Sequence, residues 1–335
     1  MSAAAEGRLA DRPLLSVEDL RVTFRTPQGP ARVVNGVNFE VHQGETLAVV
    51  GESGSGKSVS VMSLTGLVPQ PPARVSGRVD FAGTELIGAG KGTLRRLRGP
   101  GIGMVFQDPM SSLNPVLTVE RQLTEGIREH LGLGRRAARE RAVELLDKVG
   151  IPDPRGRLDA YPHQLSGGMR QRVMIAIALA CEPRLLIADE ATTALDVTIQ
   201  AQIVELLAEL QSELGMAMIW ITHDLGVVAG IADRVLIMYA GRVVEEGTVD
   251  EIFDSPQHPY TRGLLGSLPA AHSVGDSDLQ VIPGLPPDPT ALPPGCAFWP
   301  RCSVRGDPRC ESEVPPLRPA GSGTHRVATF YEEDR

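Results

Sequence analysis

The chain has 335 residues, and its hydrophobic content of 42% is enough for a large globular core. Its formal charge of -8 argues weakly against a nucleic-acid-binding surface, so we expect no nucleic-acid partner. Neither the apolar region of a secretory signal nor an apolar run of roughly 18 residues is visible, so we expect a cytoplasmic protein whose membrane role comes through partners.

Two amphipathic segments come first in the chain. Residues 14–25 and 33–41 alternate apolar and polar side chains, which predicts a pair of antiparallel strands. Phe24 lies near the end of the first segment. Its ring could stack on a nucleotide base or simply pack within the fold, and the sequence leaves these two roles open.

A glycine-rich motif, G-E-S-G-S-G-K-S, follows the apolar run at 46–50 and precedes a predicted helix at 59–67. Strand, glycine-rich turn and helix is the context in which this pattern binds phosphate, because backbone N–H groups and the positive helix end converge on one anion. Lys57 would reach the β- and γ-phosphates, and the Ser58 hydroxyl would bind Mg²⁺. We therefore predict a nucleoside triphosphate site. Its loop residues are Gly51, Ser53, Gly54, Ser55, Gly56, Lys57, Ser58 and Val59.

The rest of the chain alternates strands and helices, which indicates a largely parallel sheet. Residues 111–175 interrupt this alternation with helical spacing and no strand signal, which fits a helical subdomain inserted into an α/β core. The predicted strands are 78–81, 102–107, 185–188 and 216–222, with a helix at 197–214 and a hairpin around Gly241.

Polar side chains follow several of these predicted strands. Asp189 could hold the Mg²⁺ shell, and Glu190 directly after it could polarise an attacking water as a general base. Gln107 and His223 also end predicted strands, where the sites of parallel sheets form, and could sense metal and γ-phosphate respectively. Taken singly, each also fits a structural role.

The chain becomes rich in proline and turn residues after about residue 268, which favours an extended connection over a packed core. We predict a nucleotide-binding domain at 14–268 and a C-terminal appendage at 269–335. The appendage carries Cys296, Cys302 and Cys310. In a cytoplasmic chain, such clustering favours a metal site over disulfides.

Taken in order, these motifs resemble the ABC ATPase cassette over about residues 14–265. The segment L-S-G-G followed by Q-R is highly specific to that family. The resemblance implies an α/β P-loop core with an antiparallel β subdomain, an inserted helical subdomain, and ATP and Mg²⁺ as cofactors. It also implies the following roles: Lys57 and Ser58 in the phosphate loop, Gln107 in the Q-loop, Asp189 as Walker B acid, Glu190 as catalytic base, Asp196 in the D-loop and His223 as switch histidine, with Ser58, Gln107 and Asp189 around the metal.

The signature segment contains Ser166 and Gly168, which are expected to open a helix and could bind phosphate there. The chain already has one phosphate loop. In the family, ATP lies between two cassettes, and this segment contacts the γ-phosphate of the other one. The resemblance therefore implies that a single-cassette chain needs a second copy or a homologue, with ATP closing the pair and hydrolysis releasing it.

Further matches resemble the oligopeptide/dipeptide (peptide/nickel) importer branch. They are Q-D-P-M-S-S-L-N-P from Gln107, S-G-G-M-R-Q-R, L-D-V-T-I-Q, H-P-Y-T and G-C-x-F-x-x-R-C. The methionine after S-G-G resembles the D-type subunit. This implies ATP-driven peptide import at the cytoplasmic face of the membrane, with an F-type ATPase homologue, two membrane permease subunits and an extracytoplasmic peptide-binding protein. Import of nickel or sugars, and export, remain alternatives.

Many relatives with this C-terminal motif carry a fourth cysteine in a segment like H-x-V-A-C, and the cysteines ligate a [4Fe–4S] cluster. This chain has Thr329 at that place, after His325. Three thiolates and His325 could still complete a four-ligand site for an iron–sulfur cluster or zinc. The alternative is that the site has decayed.

Overall fold

The computed structural model describes residues 12–192, 196–268, 281–305, 307–321 and 323–331. Strands and helices are numbered along that part of the chain. The strands are β1 (Leu15–Thr26), β2 (Gly29–Val41), β3 (Thr46–Val50), β4 (Ala73–Phe81), β5 (Thr84–Glu85), β6 (Ile102–Val105), β7 (Leu185–Asp189), β8 (Ala217–Thr222), β9 (Arg234–Tyr239), β10 (Arg242–Thr248), β11 (Arg318–Pro319) and β12 (Arg326–Val327).

The helices of the same part lie between these strands, some singly and some in consecutive runs. They are α1 (Lys57–Leu64), α2 (Lys91–Leu97), α3 (Pro109–Ser112), α4 (Val119–Leu131), α5 (Arg135–Lys148), α6 (Pro154–Arg157), α7 (Gly167–Leu179), α8 (Val197–Leu214), α9 (Leu225–Ile231), α10 (Val249–Asp254), α11 (Pro259–Gly266) and α12 (Arg309–Ser312). Single 3₁₀ turns cover Pro162–Gln164 and Trp299–Arg301. Among the described residues, none of these helices combines the length and apolarity needed to cross a membrane.

The chain divides into two compact units. The first unit takes its described residues from 1–41, 46–88 and 222–335, and the second takes them from 42–45 and 89–221. Each unit therefore joins segments that are distant in sequence. The predicted division at residue 268 into a nucleotide-binding domain and an appendage stays a prediction.

The first unit contains an antiparallel sheet with strand order β2-β1-β4-β5. β1 and β2 pair antiparallel, as their alternating pattern predicted, and Val22 lies opposite Val34 in the register. Both of these valines are buried, since alternate side chains of each strand point to one face. β4 begins at Ala73, five residues before the start of the predicted strand at 78–81.

A second group of strands in this unit is ordered β11-β12-β10-β9-β3. β3 runs parallel to β9, whereas β9, β10, β12 and β11 pair antiparallel in turn. All five residues of β3 are buried, which explains its continuous apolar run without polar alternation. The chain leaves β3, forms the glycine-rich loop and enters α1 at Lys57.

The second unit contains β6, β7 and β8 as parallel neighbours, with Ile187 of β7 opposite Ile219 of β8. Helices α4 and α5 lie where the helical segment was predicted. Thr118 caps α4 through its hydroxyl, which accepts the N–H of Arg121. β6 ends at Val105, so the predicted strand at 102–107 was too long and Gln107 lies in the following loop.

Within the first unit, residues 281–294 form no helix or strand and none of them is buried, as the prediction of an extended connection has it, whereas later residues of the appendage do pack into the fold. Phe298 is only 3% exposed and belongs to a hydrophobic cluster with Tyr239 and Tyr260. β12 pairs with β10, placing Val327 opposite Glu245. The proline-rich stretch is therefore an extended connection, and apolar side chains that follow it bury the rest of the appendage only in part.

Candidate nucleotide-binding site

The glycine-rich loop of the first unit curls tightly around Lys57. The Lys57 side chain is 4% exposed, and its Nζ donates to the carbonyl oxygens of Gly51 at 2.6 Å and Glu52 at 3.0 Å. A Cβ on Gly51 would lie 2.2 Å from the carbonyl oxygen of Met238. Gly56, with φ of 98°, would meet backbone in the same way, so both positions require glycine.

The loop fits a phosphate group. Ser55 Oγ is buried and has no hydrogen-bond partner among the described residues. Such a hydroxyl is costly unless a ligand satisfies it. The loop leads into the first turn of α1, where unsatisfied N–H groups favour an anion. Ser53 and Gly54 are exposed, while Ser58 and Val59 are half-buried at the start of the helix.

Neighbouring segments hold the loop in place, and sequence analysis missed most of them. The N–H of Gly241 donates to the carbonyl of Ser55 at 2.9 Å. The N–H of Glu52 donates to the Tyr260 hydroxyl at 2.9 Å, and the Glu52 carboxylate pairs with Arg301 at 2.8 Å. One indication of these contacts was present in the sequence. Tyr260 lies in H-P-Y-T and Arg301 lies in G-C-x-F-x-x-R-C, two motifs that matched the importer branch without an assigned role.

The second unit brings Gln107 and Glu190 together. Gln107 Nε2 donates to Glu190 Oε2 at 2.7 Å. Glu190 follows the buried Asp189, and its φ of 48° is left-handed, a conformation that costs free energy for a non-glycine residue. Its N–H donates to the carbonyl of Ile221 at 2.9 Å, which helps to hold that conformation.

The signature segment begins helix α7 as predicted. Ser166 is exposed, and its hydroxyl accepts the N–H of Met169 at 3.3 Å. A Cβ on Gly168 would lie 3.3 Å from a methyl group of Ile199, which explains the small residue at this place. The start of α7 therefore presents its positive end to solvent, where it could meet an anion.

The remaining predicted site residues lie at element ends or in strands. Asp196 caps α8 by accepting the N–H of Ile199 at 2.9 Å, while residues 194 and 195 of A-L-D lie outside the described residues. His223 is exposed directly after β8. Phe24 is half-buried in β1, opposite Ala31 of β2, so both of its proposed roles stay open.

Cys296, Cys302 and Cys310 line one small cavity together with Thr329. Its volume of about 20 Å³ holds roughly one water molecule. Burial raises the pKa of the Cys296 and Cys310 thiols. Among the described residues, no group of three or more His, Cys, Asp or Glu side chains has the arrangement of a metal site. The described residues therefore give no support to the [4Fe–4S] cluster or zinc site that the sequence suggested.

His325, the candidate fourth ligand, does not line that cavity. Its Nε2 forms a hydrogen bond to Glu245 Oε1 at 2.7 Å, and both side chains are buried. The prediction of His325 as a ligand is therefore not supported, because the buried carboxylate already engages its imidazole. This pair instead anchors β12 beside β10.

Comparison with known proteins identifies the family. The model described as ABC transporter matches residues 34–193, and the one described as oligopeptide/dipeptide transporter, C-terminal region, matches residues 244–310. The oligopeptide transport ATP-binding protein OppD of Bacillus subtilis (strain 168) is 52% identical over 95% of this chain and 88% of its own length. The chain belongs to the ATP-binding subunits of the peptide ABC importers.

Solved ABC cassettes confirm the predicted P-loop fold of this importer subunit. The ATP-binding cassette MJ0796, in a dimeric post-hydrolysis state bound to ADP and Pi, has a TM-score of 0.63 and 29% identity over 70% of this chain and 98% of that one. CbiO1 of Clostridium perfringens, part of the ABC transporter complex CbiONQ, has a TM-score of 0.60 and 33% identity over 73% and 92% of the two chains.

Proposed function

We propose that this chain hydrolyses ATP to power the import of oligopeptides or dipeptides through a membrane permease pair. The 52% identity to OppD over nearly the whole chain carries this proposal, because it extends through the C-terminal region as well as the cassette. The site geometry supports the chemistry. Lys57 and the unpartnered Ser55 hydroxyl suit a triphosphate, and Gln107 orients Glu190.

The reaction is transfer of the γ-phosphoryl group of ATP to water. Lys57 and the loop N–H groups hold the phosphates and offset charge that develops on them. Ser58, Gln107 and Asp189 would hold Mg²⁺, which neutralises the phosphate oxygens when it is bound. Glu190 accepts the proton of the attacking water, Gln107 fixes the direction of that carboxylate, and His223 contacts the γ-phosphate.

The proposed assembly pairs this D-type cassette with an F-type homologue, so that each signature segment faces the ATP of the other subunit. The sequence has one phosphate loop and one signature segment, and the exposed start of α7 supports a contact in trans. Two permease subunits and an extracytoplasmic peptide-binding protein complete the importer at the cytoplasmic face of the membrane.

The test is uptake of labelled dipeptides, longer peptides, nickel and sugars by cells that carry either this chain or its Glu190→Gln variant. We expect selective loss of peptide uptake. Purified Glu190→Gln should still bind ATP while its turnover falls by about a hundredfold or more, as expected for loss of a general base. Unchanged turnover would contradict the assignment of Glu190.

Glu205→Gln is the matched control, since it makes the same change of charge on the exposed face of α8. Its uptake and turnover should equal those of the parent chain. Loss of nickel or sugar uptake in the Glu190→Gln cells would leave the ATPase assignment intact and change the proposed cargo from peptides to that solute. No uptake defect at all would overturn the importer proposal in favour of export.

A further inference from the structure

Arg301 of the C-terminal appendage lies in an aromatic cluster of the first unit. The rings of Tyr239, Tyr260 and Phe298 are mutual neighbours, with centroids 4.7 Å apart for the two tyrosines and 5.3 Å from each tyrosine to Phe298. The Arg301 guanidinium lies 5.8 Å from the Tyr239 ring centre and donates to its hydroxyl at 3.2 Å. These four side chains, named here the aromatic–arginine cluster, connect the appendage to the strand and helix beside the phosphate loop.

This cluster contacts Glu52, the second residue of the glycine-rich loop, at two points. Arg301 Nη1 donates to Glu52 Oε2 at 2.8 Å, and the Glu52 N–H donates to the Tyr260 hydroxyl at 2.9 Å. The Arg301 side chain is 7% exposed and that of Glu52 is 25% exposed. An ion pair so poorly exposed to solvent is only weakly screened, so its partners largely neutralise each other.

Glu52 places a carboxylate in a loop that is proposed to bind an anion. A negative charge there repels the triphosphate unless another group neutralises it. Arg301 is suited to neutralise the Glu52 carboxylate, because its planar guanidinium can donate to several acceptors at the same time. Besides Glu52 and Tyr239, it donates through Nε to the carbonyl of Pro283 at 2.9 Å.

We propose that Arg301 is a positioning residue of the nucleotide site, acting through Glu52: it cancels the carboxylate charge so that the loop accepts ATP. The appendage is then part of the ATP-binding apparatus. This inference rests on the proposed ATPase function and extends it to a residue about 250 positions away from the loop in sequence. It also gives the arginine of G-C-x-F-x-x-R-C a role that needs no metal at the cysteines.

The test is equilibrium binding of a non-hydrolysable ATP analogue with Mg²⁺ to the full chain. Arg301→Met leaves Glu52 unpaired, and we expect the Kd to rise about tenfold because of repulsion at short range. Adding Glu52→Gln to Arg301→Met removes that charge, and should return the Kd to within about threefold of the parent value. The loss in Arg301→Met should also shrink as salt concentration increases.

Arg309→Met is the matched control, because it removes another appendage arginine that pairs with Asp307 away from the loop. Its Kd should equal that of the parent chain. If Arg301→Met weakens binding and Glu52→Gln fails to restore it, the role of Arg301 is structural and the inference is overturned. Equal affinity of Arg301→Met and the parent would overturn it as well.

Glu52→Gln alone keeps the test decisive if Arg301→Met does not fold. It leaves every other contact of Arg301 in place, and should bind the analogue at least as tightly as the parent. A Kd raised more than about threefold in a variant with normal thermal unfolding would contradict the proposal. Failure of the parent chain itself to bind the analogue would instead refute the proposed ATPase function.

Discussion

His258 is a buried residue whose protonation links stability to pH. Its Nδ1 accepts the N–H of Tyr260 at 3.1 Å and so caps α11. Burial lowers the pKa of His258 to about 4; Glu245 opposes this shift, whereas Arg262 adds to it. The folded state therefore binds fewer protons than the unfolded state between the ordinary histidine pKa and about pH 4.

We expect His258 to lower the free energy of unfolding by about 3 kcal/mol as the pH decreases from about 7 to about 4. Over this range the histidine becomes protonated in the unfolded state, whereas it stays largely neutral in the folded state. His258→Asn keeps an acceptor for the N–H of Tyr260 but cannot titrate. Urea unfolding at several pH values should show a shallower pH dependence for this variant than for the parent.

The exposed His42 supplies the control, since His42→Asn makes the same substitution at the surface and shows whether it alters the unfolding curve by itself. Glu245 also links stability to pH. Burial raises its pKa, but the hydrogen bonds from His325 and from the N–H groups of Gln257 and His258 outweigh burial and hold that pKa below its usual value. Its contribution is present above the ordinary glutamate pKa of 4.5 and is lost as the pH falls from there through the lowered folded-state value, so the His258 comparison is made above pH 5. An equal slope for His258→Asn and the parent between pH 7 and 5 would refute the assignment.

Among the elements, the appendage shows how a single side chain can decide whether a group of cysteines binds a metal or only packs in the fold. Thr329 lies with Cys296, Cys302 and Cys310 around the small cavity, and it occupies the sequence position of the fourth cysteine of many relatives. Structural zinc sites use four protein ligands, and a single zinc ion is small enough for such a space.

We expect the purified chain to contain neither iron nor zinc in stoichiometric amount, and Thr329→Cys to gain about one zinc per chain on incubation with the metal, because it completes a four-thiolate set. Metal analysis by mass spectrometry would measure both. Thr324→Cys, which adds a thiol outside the cavity, should gain none. Stoichiometric metal in the parent chain would show that three thiols suffice.

The whole molecule has a single phosphate loop and a single signature segment. Each proposed ATP site needs the phosphate loop of one cassette and the signature segment of another, so a second cassette must supply the missing segment. Glu190→Gln slows hydrolysis and should preserve the ATP-bound pair. We expect this variant of 35.8 kDa to sediment alone as a monomer with Mg²⁺ and ATP, and as a one-to-one pair when the F-type homologue is added.

Lys57→Ala provides the control for that measurement, because without the lysine the phosphates are not held and no pair should form. An ATP-dependent dimer of this chain by itself would favour a second copy over the F-type homologue. Pairing that does not depend on ATP would contradict the proposal that nucleotide contacts drive closure.

The sequence by itself determined the nucleotide chemistry and most of the elements. Local patterns carried this information: the glycine-rich loop after a buried strand, the apolar period of α4, and Asp189 at the end of β7. The physical reason is that phosphate binding and helix periodicity depend on residues close together in the chain.

Only the tertiary structure decided how the C-terminal region contributes. It placed Arg301 on Glu52, paired His325 with Glu245, and gathered the cysteines around a cavity completed by Thr329. These contacts join residues far apart in sequence, where neither periodicity nor spacing indicates a partner. The proline-rich stretch at 281–294 stays unburied, as its composition predicts, whereas Phe298 just after it is buried because its apolar neighbours come from distant parts of the sequence.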